Sequence, residues 1–448
     1  MVCKEGNYMT KVSLDPINVN IPGLKEKESF YLEEAPEVIC VECEMENPYT
    51  GICPKCGCYE PNYVCNGYAE VRRIHDISIG RNAIDLYFKG HRYKCKDCGS
   101  TFSEPIDFAK PSYWLTNRLI ETIQKDAAEH SFTYVAKRHG ITITWVKTLF
   151  MKYADEIDKQ RVLTAPEVLG IDEVHICDKM RLVLTDSEHG TLIDMHPRKT
   201  IPTVKKAIHA LEGYENIKIV TMDMDTGYRN AVKELIPSAM VVIDRFHVVS
   251  HISTATQSAK KQIVENLKVS VKAMPPGLDK DRKLQLLRDL GKDSYLFKFG
   301  KKKIEKSTQR QEFLLQLCNE FPELRDLYTV KRNAERIYED ATTAEDAMNL
   351  FNVFKKSIPK NDPAYQEFHK FENMFIHWNK EILNYFRSGK QFTNAATEGL
   401  NNQIKMINNE GKGYSFETLR AKCIVNLFGK EKHHVVSSRK KYKKNKNN

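Results

Sequence analysis

The chain has 448 residues, 41% of them hydrophobic and 29% charged, and a formal net charge of +10. That length asks for roughly two to four domains with real apolar cores. No apolar run reaches the roughly 18 to 20 residues of a membrane span. The first thirty residues mix Lys, Glu and Asp without an apolar signal core, so a cytoplasmic location is expected.

Residues 1–35 are polar and acidic with no clear period and read as a flexible N-terminal arm. Residues 36–108 hold short alternating runs such as NAIDLYFKGHRYKC and read as a small β module. Twelve cysteines occur in the chain, nine of them within the first 98 residues. Without a signal peptide their thiols should stay reduced, which favours metal binding over disulfides. Cys53-Pro-Lys-Cys56-Gly and Cys95-Lys-Asp-Cys98-Gly are matching knuckles. Each C-x-x-C turn points two thiolates at one ion, so Cys53, Cys56, Cys95 and Cys98 are expected to hold one structural Zn²⁺ in a zinc ribbon. Cys40-Val-Glu-Cys43, with Cys58 and Cys65, offers candidates for a second ion, or else unliganded thiols. Cys177, Cys318 and Cys423 stand singly in apolar settings and read as small core residues.

Residues 109–160 turn helical. Within SFTYVAKRHGITITWVKTLFMKY, Ser131 or Thr133 can cap one helix and Thr142 or Thr144 a second. Val135, Ala136, Val146, Leu149 and Phe150 would face inward, and Gly140 would make the turn of a helix-turn-helix. Thr144, Lys147 and Lys152 would then be offered to DNA, although the same pattern suits an ordinary helical hairpin.

In 165–250, EVLGIDEVHI, MRLVLTD and TLIDMHP are three β runs, the last two joined by the turn SEHG. A helix near 202–213, strand IKIVTMD, a helix near 227–235 and strand AMVVIDRF follow, implying a mixed sheet with right-handed crossovers. Residues 251–390 read as all-α, broken at Pro275-Pro276-Gly277. Their stripe Phe368, Phe371, Phe375 and Trp378 reads as core more than as a base-stacking platform. Residues 391–428 hold a further helix, and 429–448 form a tail with eight Lys or Arg against one Glu. This tail, with the lysines at 259–262 and 300–306, suits a polyanion partner or simple solubilisation.

Asp172 ends EVLGID and Asp223 ends IKIVTMD. In a sheet of order 3-2-1-4-5 those strands are parallel neighbours, and their carboxylates would repel unless cations sat between them. Two Mg²⁺ ions at such a site serve phosphodiester chemistry. Glu398, in TNAATEGLNNQIK, begins the helix after the all-α region and can supply the third carboxylate. Asp225 shares a face with Asp223, so periodicity does not choose between them. Glu173 should face away from Asp172 and reads as structural. Asp244 and His247 sit at the end of the next strand, either supporting the site or serving the fold alone.

These blocks resemble bacterial insertion-sequence transposases of the ISL-three family, of the DDE type. Gly170-Ile171-Asp172-Glu173 resembles the first-carboxylate block. Asp223-Met224, with Tyr228 five residues after Asp223, resembles the second and favours Asp223 over Asp225. Asp244-Arg245-Phe246-His247 resembles the D-x-x-H element of related transposases. Thr393-Asn394, Glu398-Gly399, Asn401 and Ile404-Lys405 resemble the third block, with Thr393 where Ser is common.

The resemblance implies a multidomain α/β protein. A zinc ribbon and helix-turn-helix would precede an RNase H-like core interrupted by the all-α insertion. Its catalytic triad would be Asp172, Asp223 and Glu398, with two Mg²⁺ (or Mn²⁺) ions. The protein would act in the bacterial nucleoid on its element's inverted repeats and on target DNA, as a dimer or larger assembly. Competing expectations are a DNA-binding regulator derived from a transposase, and a nuclease that cuts without strand transfer.

Overall fold

The computed structural model describes residues 10–110, 112–292, 296–298, 307–389 and 395–429, with the backbone alone at 3–4, 7–8, 395 and 396. The lysine cluster at 300–306, Thr393, Asn394 and the tail beyond Gly429 lie outside the described residues. The chain divides into two compact units, Met1–Gln160 with Asn409–Lys412, and Arg161–Asn408 with Gly413–Asn448.

The first unit opens on a two-residue hairpin, β1 (Cys3–Lys4) and β2 (Asn7–Tyr8). Strands β3 (Lys11–Leu14), β4 (Leu24–Leu32) and β5 (Ala35–Met45) follow. Thus, of the stretch expected as a flexible arm, Lys11–Leu14 and Leu24–Leu32 instead build two strands of a sheet. Their charge hid the strands: Phe30 is fully buried, while Lys25 and Lys27 on the same strand are exposed. Strand β6 is Tyr63–Tyr68, β7 Arg72–Ile79, β8 Asn82–Phe88, β9 His91–Cys95 and β10 Thr101–Ser103. Short strands β11 (Ala109–Lys110) and β12 (Leu115–Thr116) complete a seven-stranded sheet of order β11-β12-β7-β8-β5-β4-β3. Strands β10-β9-β6 form a separate three-stranded sheet beside the cysteines.

Three helices end this unit: α1 (Asn117–Glu129), α2 (Phe132–His139) and α3 (Ile143–Gln160). Ser131 caps α2 by accepting from the Tyr134 N–H, and Thr142 accepts from the Trp145 N–H at the start of α3. Gly140 closes α2 at φ +64, where a Cβ would be strained. Val135, Ala136, Val146, Leu149 and Phe150 are all buried, as their spacing predicts.

The second unit is built on β13 (Val168–Ile176), β14 (Lys179–Asp186), β15 (Thr191–His196), β16 (Ile219–Met222) and β17 (Met240–Ile243). Their order is β15-β14-β13-β16-β17, antiparallel across the first three and parallel across the last three. Helices α4 (Ile201–His209) and α5 (Thr226–Leu235) are the crossovers. One sheet face carries Leu169, Ile171, Leu182, Leu184, Val220 and Met222 into an apolar core shared with Val204, Ile208 and Val232. Nine buried side chains of that size contribute on the order of 15–25 kcal/mol before chain entropy is counted.

Helices α6 (Arg245–Ala273) and α7 (Leu278–Lys292) flank the predicted Pro-Pro-Gly break. Five further helices run from Thr308 to Arg387. Their core includes Phe368, Phe371, Phe375 and Trp378, and Phe375 stacks on Phe351 with centroids 4.0 Å apart. These aromatics are core, not a stacking platform. The helices Ala395–Gly411 and Phe416–Leu427 close the described chain. Arg420 clamps buried Asp194 from the last of these, its Nε 2.8 Å from Oδ1 and Nη2 2.9 Å from Oδ2.

Cys177 departs from its expected place in a core. It sits half-buried at the β13–β14 turn, where Cys177 and Asp178 both have positive φ (47° and 56°). A two-residue hairpin requires that backbone twist, and the turn position follows from it.

Candidate functional site

The register of the five-stranded sheet aligns three aspartates. The parallel pairs end at Ile171↔Met222 and Met222↔Ile243, so Asp172, Asp223 and Asp244 are the next residues of three adjacent chains. The pleat puts Asp172 and Asp223 on the face of Gly170 and Thr221, opposite the apolar core. Asp172 is 8% exposed, whereas the Asp223 side chain is 29% exposed.

Asp172 Oδ1 accepts from the Glu173 N–H at 2.7 Å, and Oδ2 accepts from Asn401 Nδ2 at 2.8 Å. Burial, followed by the nearby charge of Asp223, pushes its carboxyl up to about 7. Among the described residues no lysine or arginine forms an ion pair with either carboxylate. His247, in the first turn of α6, places Nε2 2.8 Å from Asp223 Oδ1, and that contact raises its imidazole above the ordinary value. His247 is therefore seated on a candidate ligand and not on a backbone group. Asp244 is buried, and its N–H donates to the Met222 carbonyl at 3.2 Å while it begins α6.

Asp225 has separate work. Its Oδ1 accepts from the Tyr228 N–H at 2.9 Å as the N-cap of α5. Tyr228 reaches back through its hydroxyl to Glu173 Oε1 at 2.7 Å and the Lys199 carbonyl at 3.2 Å. Lys199 Nζ completes the group, 2.7 Å from Glu173 Oε2. Glu173 is thus tied into a structural network on the face away from Asp172.

The Ala395–Gly411 helix packs over the aspartate face. Thr397 Oγ1 lies 2.8 Å from Thr185 Oγ1, and Asn401 reaches Asp172. Gly170 explains how close the helix comes. A Cβ there would meet Thr185 Oγ1 at 2.2 Å, Ser187 Oγ at 2.4 Å and Thr397 Oγ1 at 3.0 Å. Glu398 is exposed, one turn before Asn401 on the same helix. The three carboxylates do not form a set whose oxygens all lie within 4.8 Å of one another.

This donor set fits a divalent cation. A buried carboxylate held near neutrality faces a second one, and Asn401 Oδ1 is buried while accepting no hydrogen bond from the described residues.

A second candidate metal centre lies in the first unit. The sulfurs of Cys53, Cys56, Cys58 and Cys95 all lie within 4.8 Å of one another. Cys98, the expected fourth ligand, has Sγ 3.9 Å from Cys53 Sγ. Both knuckles are formed, with Gly57 and Gly99 at φ +76 and +69, and the Cys98 N–H faces Cys95 Sγ at 3.5 Å. Ser100 beside Cys98 lowers its thiol pKa, while the neighbouring Cys95 raises that of Cys58. Five thiols thus compete for four places. Cys40 and Cys43 stand three residues apart on β5 and therefore face opposite sides of the sheet. The described residues form no second cluster of candidate ligands from Cys40, Cys43, Cys58 and Cys65.

On α3, Thr144 and Lys147 are exposed. Lys152 is also exposed, but its Nζ donates to the Tyr113 hydroxyl and lies 5.1 Å from that ring's centroid. Lys152 therefore braces α3 as well as offering a charge. The contact between Asn401 and Asp172 and the hydroxyl cluster over Gly170 had no sequence signal beyond Asn401 belonging to the third block, one turn after Glu398.

No helix of the described residues is long and apolar enough to cross a membrane. A family model described as a transposase, that of the ISL-three (ISL3) DDE type, matches residues 169–423. A transposase for insertion sequence element IS1001 from Bordetella parapertussis is 22% identical over 371 residues, covering 81% of this chain and 85% of that protein.

Proposed function

Because this chain belongs to the ISL-three family of DDE transposases, we propose that it cleaves the inverted-repeat ends of its own insertion sequence and joins them to target DNA. The observation that carries this reading is that Asp172 and Asp223 stand side by side just past the last parallel pair of β13 and β16, with the Glu398 helix packed over them. The five-stranded sheet would be an RNase H-like core, interrupted after β17 by a helical insertion.

Asp172, Asp223 and Glu398 would hold two Mg²⁺ or Mn²⁺ ions. When bound, such ions supply an activated water for in-line attack and stabilise the leaving 3′ oxygen. Asp172 and Asp223 would set the spacing from the rigid sheet, and Glu398 would complete the set from the helix. His247 orients Asp223 through Nε2, so that carboxylate presents its other oxygen to the site. The freed 3′-OH would then attack target DNA in the same cleft, since both steps are phosphoryl transfers of one kind.

DNA ends would be gripped by the zinc ribbon and by α2 and α3, with Thr144, Lys147 and Lys152 toward the duplex. Zn²⁺ would be held by Cys53, Cys56, Cys95 and Cys98, with Cys58 the rival for the last place. A dimer or larger assembly would bring two ends together on DNA.

The test is an end-cleavage assay on DNA carrying the element's terminal repeats. Asp172→Asn, Asp223→Asn and Glu398→Gln should each retain end binding and lose Mg²⁺-dependent cleavage. Full cleavage by Asp172→Asn would refute the assignment. Joining of a pre-cut 3′-OH end separates a transposase from a nuclease of the same core.

A further inference from the structure

We infer that Asn401 is a positioning residue of the cation site, fixing the Asp172 carboxylate and registering the Glu398 helix on the sheet. The inference rests on the carboxylate assignment above and deepens it.

Two of the lone-pair positions on Asp172 are occupied by fixed donors, the Glu173 N–H on Oδ1 and Asn401 Nδ2 on Oδ2. A carboxylate held at both oxygens has one rotamer, and its remaining lone pairs have fixed directions. The Glu173 donor comes from the strand itself, so Asn401 is the donor that ties Asp172 to another element. That element carries Glu398 one helical turn earlier, about 5 Å along the axis. A hydrogen bond from Asn401 to Asp172 thus sets where Glu398 stands along the strand end.

The helix is pinned a second time by Thr397 on Thr185, on the turn that bears Glu398. Thr397 and Asn401 lie one turn apart and together fix the rotation of the helix as well as its height. Burial strengthens the case. Asn401 is 7% exposed, and its Oδ1 accepts nothing from the described residues. An amide buried for packing alone leaves an acceptor unsatisfied, at a cost on the order of that of a lost hydrogen bond. An oxygen beside Asp172 can instead accept from water in a cation's hydration shell.

The experiment measures Mn²⁺ affinity by titration with electron paramagnetic resonance of free Mn²⁺. Full-length, zinc-loaded protein is used in buffer free of Mg²⁺ and chelator. Asn401→Ala should bind Mn²⁺ about 10- to 100-fold more weakly than the parent, the range found when a group orienting a metal ligand is removed. Asn402→Ala, exposed on the same helix, should bind as the parent does. An affinity for Asn401→Ala within twofold of the parent, with Asp172→Asn having lost binding, overturns the role of Asn401 alone. Equal binding by the parent and Asp172→Asn overturns the carboxylate assignment itself. Asn401→Asp guards against a folding defect. It sets two carboxylates against each other, so Mn²⁺ should raise its melting temperature by more than it raises that of the parent. An equal rise in both also overturns the inference.

Discussion

The buried carboxyl of Asp172 makes the cation-free protein sensitive to pH in a predictable direction. Its pKa is raised from an ordinary value of 3.8 to about 7, so folding favours the protonated form. Stability from this group is complete below about pH 4 and is lost as pH rises toward and through 7. The shift of about 3 units corresponds to at most about 4 kcal/mol by pH 8. Asp172→Asn removes the charge while keeping the shape. The lost acceptor is replaceable, because turning the Asn401 amide lets its Oδ1 accept from the new side-chain amide. Losing the His247 attraction to Asp172 trims the gain, so about 2–4 kcal/mol should remain at pH 8. For a unit of this size that is a rise in melting temperature of about 4–12 °C. The assay is thermal denaturation from pH 5 to 8 in buffer without Mg²⁺ or chelator, which leaves thiolate-bound zinc in place. The gap between variant and parent should be smaller at pH 5, where roughly a third of the loss has occurred, and widen toward pH 8. Added Mg²⁺ should stabilise the parent and close the gap. A gap that does not change with pH refutes the argument.

Gly170→Ala should destabilise the second unit by about 2–4 kcal/mol, since a Cβ would stand 2.2 Å from Thr185 Oγ1 and 2.4 Å from Ser187 Oγ; urea denaturation measures it. Asp225→Ala should lose about 1 kcal/mol through its helix cap yet keep cleavage, whereas Asp223→Ala should abolish cleavage with little loss of stability. Parallel cleavage and melting data on the two variants decide this, and the reverse pattern would exchange their roles. For the proposed zinc centre, Cys98→Ser should lower bound zinc below one equivalent while Cys58→Ser retains it, as read by elemental analysis. Arg420→Ala should cost about 3–5 kcal/mol, because it strips the main partner from buried Asp194; thermal denaturation tests it.

The neighbouring aspartates of the proposed site were legible because each follows an apolar run of strand composition, although β13 continues past Asp172 to Ile176. Strand order then made Asp172 and Asp223 neighbours. Local chemistry also showed the caps, the Gly140 turn and both cysteine knuckles, each being a property of a few consecutive residues. The N-terminal strands were hidden because they keep charge on their exposed positions. The Cys40–Cys43 pair stayed open because C-x-x-C is a ligand pair in a turn and a split pair in a strand. Spacing alone could not tell which.

Three matters were decided only by the folded chain. Asp223 and Asp225 share a face in sequence, and only the folded chain shows Asp225 capping α5 through the Tyr228 N–H. The fourth cysteine is a matter of which sulfurs converge, and five do. Asn401 meets Asp172 across 229 residues of chain. Sequence determines which elements form and what chemistry each carries at its ends, since those follow from local backbone preference and apolar period. It does not determine which polar atoms meet across elements, because that depends on packing to within an ångström.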